Sequence, residues 1–140
     1  MIAKIVHFGV DCRYRLRDLR DAGYVVESCY DVSELRLVLY VNRHLDAIVF
    51  DASERGAPKN AVELARSQCP GALVLFQGWT VDGDESEFDL IIPPLTPVPK
   101  WLDDLANLIT RTRVGRLQAR EAPVVLYQDQ DTIKSIIKSR

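Results

Sequence analysis

The stretch LDAIVFD, residues 45–51, decides how the rest of the chain is interpreted. Its apolar run from Leu45 to Phe50 is almost continuous, as expected for a central strand that is buried on both faces of a sheet. The run ends at Asp51, so a carboxylate stands where the strand meets the following loop. Because functional groups of open α/β sheets gather at the carboxyl ends of the strands, this segment predicts a parallel sheet with Asp51 at its functional edge.

Short apolar runs alternate with segments of helical periodicity on both sides of this strand. The other predicted strands are Ile2–Phe8, Tyr24–Ser28, Ala72–Phe76 and Phe88–Ile92. The predicted helices are one through Leu16 and Leu19, one that Asp31 caps, one over Lys59–Ser67 and one that starts near Pro99. Five strands and at least four helices in strict alternation predict an α/β, flavodoxin-like, doubly wound sheet.

The connection between the last two strands is short and acidic. It contains two glycines and no helical stripe, so the fourth helix of such a fold is expected to be shortened or absent. Trp79 is an interface candidate here, or it covers the sheet edge in place of the helix. The acidic candidates for interaction are Asp82, Asp84 and Glu85.

The chain is expected to consist of a domain over residues 1–115 and an extension over residues 116–140. Val124–Tyr127 is predicted as an extra strand or an extended segment, and Asp131–Lys138 as a short amphipathic helix. Arg113 and Arg116 belong to a basic C-terminal part that could meet the acidic connection, in the same chain or in a homodimer. The alternative is that both charged regions are solvated surfaces.

Composition limits the function classes further. The 140 residues carry a formal net charge of -2, which does not call for nucleic acid or an anionic membrane. The apolar runs are strand-sized and the N-terminus lacks a signal peptide, so no membrane contact and a cytoplasmic location are expected. The three cysteines form no C-x-x-C pair, and His7 and His44 stand at no recognisable metal-ligand spacing.

Four stretches in this order resemble bacterial response-regulator receiver domains, over about residues 2–112. They are DAGYVVE at 21–27, LDAIVFD at 45–51, CPGALVL at 69–75 and DLIIPPL at 89–95. The resemblance implies a receiver fold in which Asp51 is the phosphoacceptor candidate. It also implies two metal-binding acids after the first strand, a hydroxyl after the fourth, and an aromatic residue and a lysine at the fifth.

Most of these polar positions are changed in this chain. The residues at the changed positions are Gly9 and Val10 for the acid pair, Gln77 for the hydroxyl, Leu90 for the aromatic residue and Pro93 for the lysine. Asp11 follows directly and could supply one carboxylate beside Asp51 for a metal ion. No cofactor is expected, and Mg²⁺ is expected only if Asp51 is phosphorylated.

The sequence therefore favours a non-enzymatic signalling module, a pseudo-receiver that binds a partner protein. The alternative is an atypical phosphoacceptor of a phosphorelay, phosphorylated at Asp51. An Asp at a strand end could also be retained because it caps backbone amides. The sequence shows no dinucleotide fingerprint, P-loop or nucleophile elbow, which argues against an enzyme or nucleotide binder. Nucleic-acid binding through the arginines of the first helix is disfavoured by interspersed aspartates; these arginines are Arg13, Arg15, Arg17 and Arg20.

Overall fold

Five parallel strands form the central sheet of the computed structural model. The strands are β1 (Lys4–Phe8), β2 (Val25–Cys29), β3 (Ala47–Asp51), β4 (Ala72–Phe76) and β5 (Leu90–Ile92). Their order across the sheet is β2-β1-β3-β4-β5. The structure describes residues 2–11, 13–51, 58–69, 71–78 and 87–126, with the backbone alone from residue 118.

Four α-helices connect or follow the strands in the described part of the chain. They are α1 (Arg15–Asp21), α2 (Val32–Val41), α3 (Lys59–Gln68) and α4 (Val98–Leu126). The chain divides into two compact units, Met1–Ile109 and Thr110–Arg140. The first unit contains the whole sheet, and the division falls within α4.

The two faces of the sheet bury separate apolar clusters, because neighbouring residues of a strand point to opposite faces. On one face, Leu19 of α1 and Leu105 of α4 pack with Val49 of β3. On the other, Leu35 of α2 and Ala65 of α3 pack with Phe50. All five residues of β3 are buried, as the apolar run of the sequence predicts. The predicted doubly wound, flavodoxin-like sheet is therefore confirmed.

Local signals define several helix ends as expected. The Asp31 carboxylate accepts a hydrogen bond of 2.8 Å from the Glu34 backbone N–H and so caps α2. The chain leaves α1 through Gly23, whose φ of 101° lies in the left-handed region that glycine tolerates best. Within the described residues, no helix is both long and apolar enough to cross a membrane.

Of four further predictions, the structure contradicts one, leaves one untested and does not describe the residues of the other two. The extra strand predicted to begin at Val124 is wrong for residues 124–126, which continue α4 to Leu126. The backbone there is helical even though Pro123, which lacks the N–H of a helix interior, precedes both valines. The predicted boundary after residue 115 also lies inside α4. Residues 79–86, where the fourth helix was expected to be shortened, and the predicted helix over 131–138 lie outside the described residues.

Candidate functional site

Asp51 lies at the carboxyl edge of the sheet, where the ends of β1, β3 and β4 meet. It is the last residue of β3 and pairs with Phe76 of β4 in the parallel register. Only 9% of the residue is exposed, so its carboxylate is largely removed from water. A buried carboxylate needs charged or hydrogen-bonding partners, and these partners define the site.

Two side chains occupy the two carboxylate oxygens of Asp51. His7 of β1 places Nε2 at 3.0 Å from Oδ2 of Asp51, and the His7 side chain is fully buried. Arg15, the first residue of α1, donates from Nη1 to Oδ1 of Asp51 in a very short contact. The Arg15 side chain is 13% exposed, so this ion pair is shielded from solvent. Asp51 is thus neutralised by a cation that belongs to the chain itself.

An aromatic ring fixes the other side of the Arg15 guanidinium. The guanidinium carbon lies 4.0 Å from the centroid of the Phe76 ring, which is a cation–π contact. Phe76 in turn meets the ring of Trp101 of α4 edge-on, with 4.9 Å between centroids. Arg15 is therefore held between a carboxylate and an aromatic ring that is itself packed in the core.

Asp11 sets the position of Arg15 through the backbone of α1. Its Oδ1 accepts a 2.8 Å hydrogen bond from the Arg15 N–H, and its Oδ2 accepts one of 3.2 Å from the Leu16 N–H. These are two of the N–H groups that the first turn of a helix leaves without an intrahelical partner. Tyr14, at the cap position, has a left-handed backbone with φ of 60° and offers no side-chain cap. Asp11 therefore replaces the usual cap and directs Arg15 towards Asp51.

The predicted metal ligands Asp11 and Asp51 do come together, and His7 joins them. One ligand atom from each of these three residues lies within 4.8 Å of the others. Two carboxylates and an imidazole are a donor set that divalent transition metals accept. However, Asp11 already binds two backbone N–H groups, and Asp51 binds Arg15 and His7. A metal ion at this cluster would have to displace Arg15.

The backbones of β1 and β3 approach each other closely at Gly9. Gly9 has φ of 117°, and a Cβ built there would lie only 2.7 Å from the carbonyl oxygen of Asp51. Any residue larger than glycine at this position would therefore collide with the backbone of β3. Val10 is 61% exposed. Neither residue has a side-chain ligand atom.

Of the other changed positions, Gln77 and Pro93 follow the carboxyl ends of their strands, whereas Leu90 does not. Gln77 follows Phe76 directly, and its backbone N–H donates to the Ile92 carbonyl at 2.9 Å. Leu90 is half-buried and opens β5 beside Val74. Pro93 ends β5, and its carbonyl accepts a 2.7 Å hydrogen bond from the Thr96 hydroxyl. Proline carries no cationic group, so it cannot replace the lysine of receivers.

The predicted interaction residues are separate from this pocket or lie outside the described residues. Trp79, Asp82, Asp84 and Glu85 belong to residues 79–86, which are not described. Arg113 and Arg116 are half-buried positions of α4.

The described acidic residues before β5 have a partner on α3. Arg66 lies 3.8 Å from a carboxylate oxygen of Glu87 and 3.8 Å from one of Asp89. These side chains are between 39% and 48% exposed, so the pairs contribute little stability. The proposed pairing with the basic C-terminal part stays a prediction.

The structure bears on two further interpretations made from the sequence. The backbone amides that Asp51 was considered to cap would follow β3, where residues 52–57 lie outside the described residues, so that role stays untested; the described partners of its oxygens are two side chains. The arginines at the first helix, already disfavoured as a nucleic-acid surface, do not form one exposed basic patch. Arg15 is turned inward to Asp51, and Arg20 donates to the Val26 carbonyl at 2.9 Å.

Sequence reasoning missed His7, Arg15 and Phe76 as members of the site. A signal existed for His7, because a histidine between Val6 and Phe8 in a buried strand needs a polar partner. Arg15 carried no such signal among four closely spaced arginines. Its selection depends on the start of α1, which Asp11 and the left-handed Tyr14 set.

No protein-family model matches the chain, and no curated protein matches it. Solved structures do. A structure titled adenylate cyclase from Rhodopirellula baltica has a TM-score of 0.69 and 11% identity, covering 86% of this chain and 96% of that one. A CheY-like receiver domain protein from Methanospirillum hungatei has a TM-score of 0.64 and 14% identity, covering 82% and 99%. A chemotaxis response regulator of Vibrio cholerae has a TM-score of 0.60 and 20% identity, covering 77% and 99%. With its sheet order and its Asp51 edge, the chain has the fold of CheY-like response-regulator receiver domains.

Proposed function

We propose that this chain is a pseudo-receiver, a non-enzymatic signalling module that acts by binding a partner protein. The observation that carries the proposal is that both carboxylate oxygens of Asp51 already have partners within the chain. Arg15 occupies one oxygen, His7 the other, and Phe76 holds Arg15 in place. The fold would thus be retained as a scaffold for contacts.

Phosphorylation of an aspartate requires a carboxylate oxygen that is free to attack phosphorus. It also requires cations that stabilise the charge spread over the transferred phosphoryl group. Here the attacking oxygens are occupied by donors, which lowers their nucleophilicity. The positive charge of Arg15 pairs with Asp51 itself and is therefore not available to a phosphoryl group, and Pro93 carries no charge.

The remaining contacts make this arrangement costly to open. Releasing Arg15 would leave the Asp51 charge buried with His7 as its remaining described partner. Removing one member of a buried ion pair typically costs about 3–5 kcal/mol, because the other member stays desolvated. A phosphodonor would have to overcome this cost in addition to the chemical barrier.

One observation supports the alternative of an atypical phosphoacceptor. Asp11 and Asp51 lie within 4.8 Å, with His7 beside them, which is the proximity that a metal-assisted phosphoryl transfer needs. In that alternative, Mg²⁺ would enter between the two carboxylates as Arg15 withdraws. The two functions therefore differ in whether Arg15 leaves Asp51.

Amide NMR spectra during titration with Mg²⁺ and then beryllofluoride, a phosphoryl analogue, separate the two. We expect the folded wild-type chain to show no localised shifts in residues next to Asp51. Asp51→Asn serves as the reference that cannot accept the analogue. Shifts around Asp51 that disappear in Asp51→Asn would refute the pseudo-receiver and establish the phosphoacceptor.

A further inference from the structure

The outward face of α2 carries an apolar stripe that the fold itself does not use. Leu37, Tyr40 and Val41 are 64%, 70% and 68% exposed, respectively. Their spacing of three and four residues places them on one side of the helix. The opposite side of α2 is also apolar, since Leu35 and Leu39 are buried in the core. A surface helix normally has one apolar face, so the second face of α2 calls for a partner.

A groove borders this stripe between the C-terminal ends of α2 and α3. Its volume is about 550 Å³, and its lining residues are Leu39, Tyr40, Arg43, Ser67, Gln68 and Cys69. Tyr40 belongs to both the stripe and the groove, so the two form one continuous surface. We call this the α2 surface.

The charged residue at the groove end of the α2 surface is basic. Residues 35–45 contain Arg36 and Arg43 and no aspartate or glutamate. Arg43 is the charged residue of the groove lining, and its guanidinium carbon lies 5.6 Å from the centroid of the Tyr40 ring. An arginine beside an exposed aromatic ring can bind a planar carboxylate while the ring contacts apolar carbon.

This combination of shape and charge favours an acidic partner protein over a second copy of the chain as the occupant of the α2 surface. A twofold contact centred on the stripe would bring Arg36 and Arg43 of both copies to one interface, which like-charge repulsion disfavours. Glu34 is the acid of α2, but it lies in the first turn of the helix and is not among the residues that line the groove. A partner with acidic residues beside an apolar stripe meets no such repulsion.

We infer that the α2 surface is the docking site for an acidic amphipathic helix of a partner protein. This inference rests on the proposed function, because it locates the contact through which a non-enzymatic module would act. The partner's apolar side chains would cover Leu37, Tyr40 and Val41, and a carboxylate would pair with Arg43. Contacts of this kind follow the helix-in-groove mode of recognition.

The test uses two synthetic amphipathic peptides as probes. Both carry leucines at helical spacing, and they differ only in having glutamates or lysines at the polar positions. We expect the glutamate peptide to bind the full chain at least about tenfold more tightly than the lysine peptide, given the strength of charge-assisted contacts. Amide shifts should map to residues 36–44 and 67–69.

Three variants sharpen the result. Tyr40→Ser should weaken binding of the glutamate peptide by about tenfold or more. Tyr30→Ser should leave this binding unchanged, because Tyr30 is 58% exposed but lies outside the α2 surface. Arg43→Glu should reverse the preference to the lysine peptide. Thermal unfolding of all three should match wild type, because the altered side chains are exposed.

Several outcomes would overturn the docking site. These are equal binding of both peptides, binding of neither, shifts outside the α2 surface, or wild-type self-association that Tyr40→Ser abolishes. The result is separable from the test of the proposed function, which is read at Asp51. Uptake of beryllofluoride would refute the pseudo-receiver, and the peptide preference would still decide the docking site.

Discussion

Arg15 and Asp51 are 36 residues apart in the sequence, yet the guanidinium of one donates directly to the carboxylate of the other. The first residue of α1 thereby neutralises the last residue of β3 at the functional edge of the sheet. In the proposed pseudo-receiver, this pair would occupy the place in which receivers bind a metal ion and a phosphoryl group.

Loss of the Arg15 charge should destabilise the fold. We expect Arg15→Met, which keeps an apolar stem beside Phe76, to lower the free energy of unfolding by about 3 kcal/mol. The reason is that Asp51 stays buried without its cation. Chemical denaturation measures the effect. Arg17→Met is the matched control, because that side chain is 65% exposed and should change stability by less than about 0.5 kcal/mol. Equal effects of the two substitutions would contradict the importance of the buried pair.

The same substitution should open a metal site. In Arg15→Met, the cluster of His7, Asp11 and Asp51 keeps its ligand atoms but loses its internal cation. We expect Mn²⁺ to bind there and to broaden nearby amide signals by paramagnetic relaxation, whereas wild type should show no such broadening. The double variant Arg15→Met/Asp51→Asn provides the control. Broadening that persists in the double variant would place the ion elsewhere.

Gly9 and Gly23 allow steric collision to be separated from backbone strain. Both have positive φ, but a Cβ at Gly23 would meet nothing within 4 Å, whereas one at Gly9 would collide with Asp51. We expect Gly23→Ala to cost about 1 kcal/mol from strain alone. Gly9→Ala should cost roughly 2–3 kcal/mol more, in the range of overpacked sites. If Gly9→Ala and Gly23→Ala lowered the stability measured by thermal unfolding equally, the end of β1 would be able to move away from β3.

Cys29 should make stability depend on alkaline pH. Burial, assisted by the negative charges of Glu34, Asp31 and Glu27, raises the pKa of the Cys29 thiol from 9.0 to about 12. Between these values the unfolded chain releases the thiol proton while the folded chain retains it. The stability that Cys29 contributes is therefore present below pH 9 and is lost as pH rises towards 12.

The pH prediction is checked by comparing wild type with Cys29→Ala. Denaturation should show a steeper fall in stability above pH 9 for wild type than for the variant. Alkylation gives a second readout, because the protonated and buried Cys29 should react more slowly than the half-buried Cys69. Parallel pH profiles for the two proteins would argue against the raised pKa.

The sequence by itself determined the parallel sheet, the alternation of strands and helices along the chain, and the position of Asp51 at the end of β3. Buried strands require continuous apolar runs, and β4 was predicted with the bounds that the structure has, Ala72–Phe76. The capping function of Asp31 could also be predicted, because its partner Glu34 is three residues away. Signals of this kind are local, so they can be read without knowing the tertiary structure.

The tertiary structure alone decided which groups surround Asp51. Val124 illustrates one failure, since α4 continues through this residue despite its preference for strands. Arg15 illustrates the more important one. Its direction depends on Asp11 binding the first N–H groups of α1, and its partners come from β3 and β4. Long-range charge pairing leaves no periodic trace in a sequence, because any of the neighbouring arginines could have made it. Only the packed sheet edge, where His7 and Arg15 meet one buried carboxylate and Phe76 packs against Arg15, selects among them.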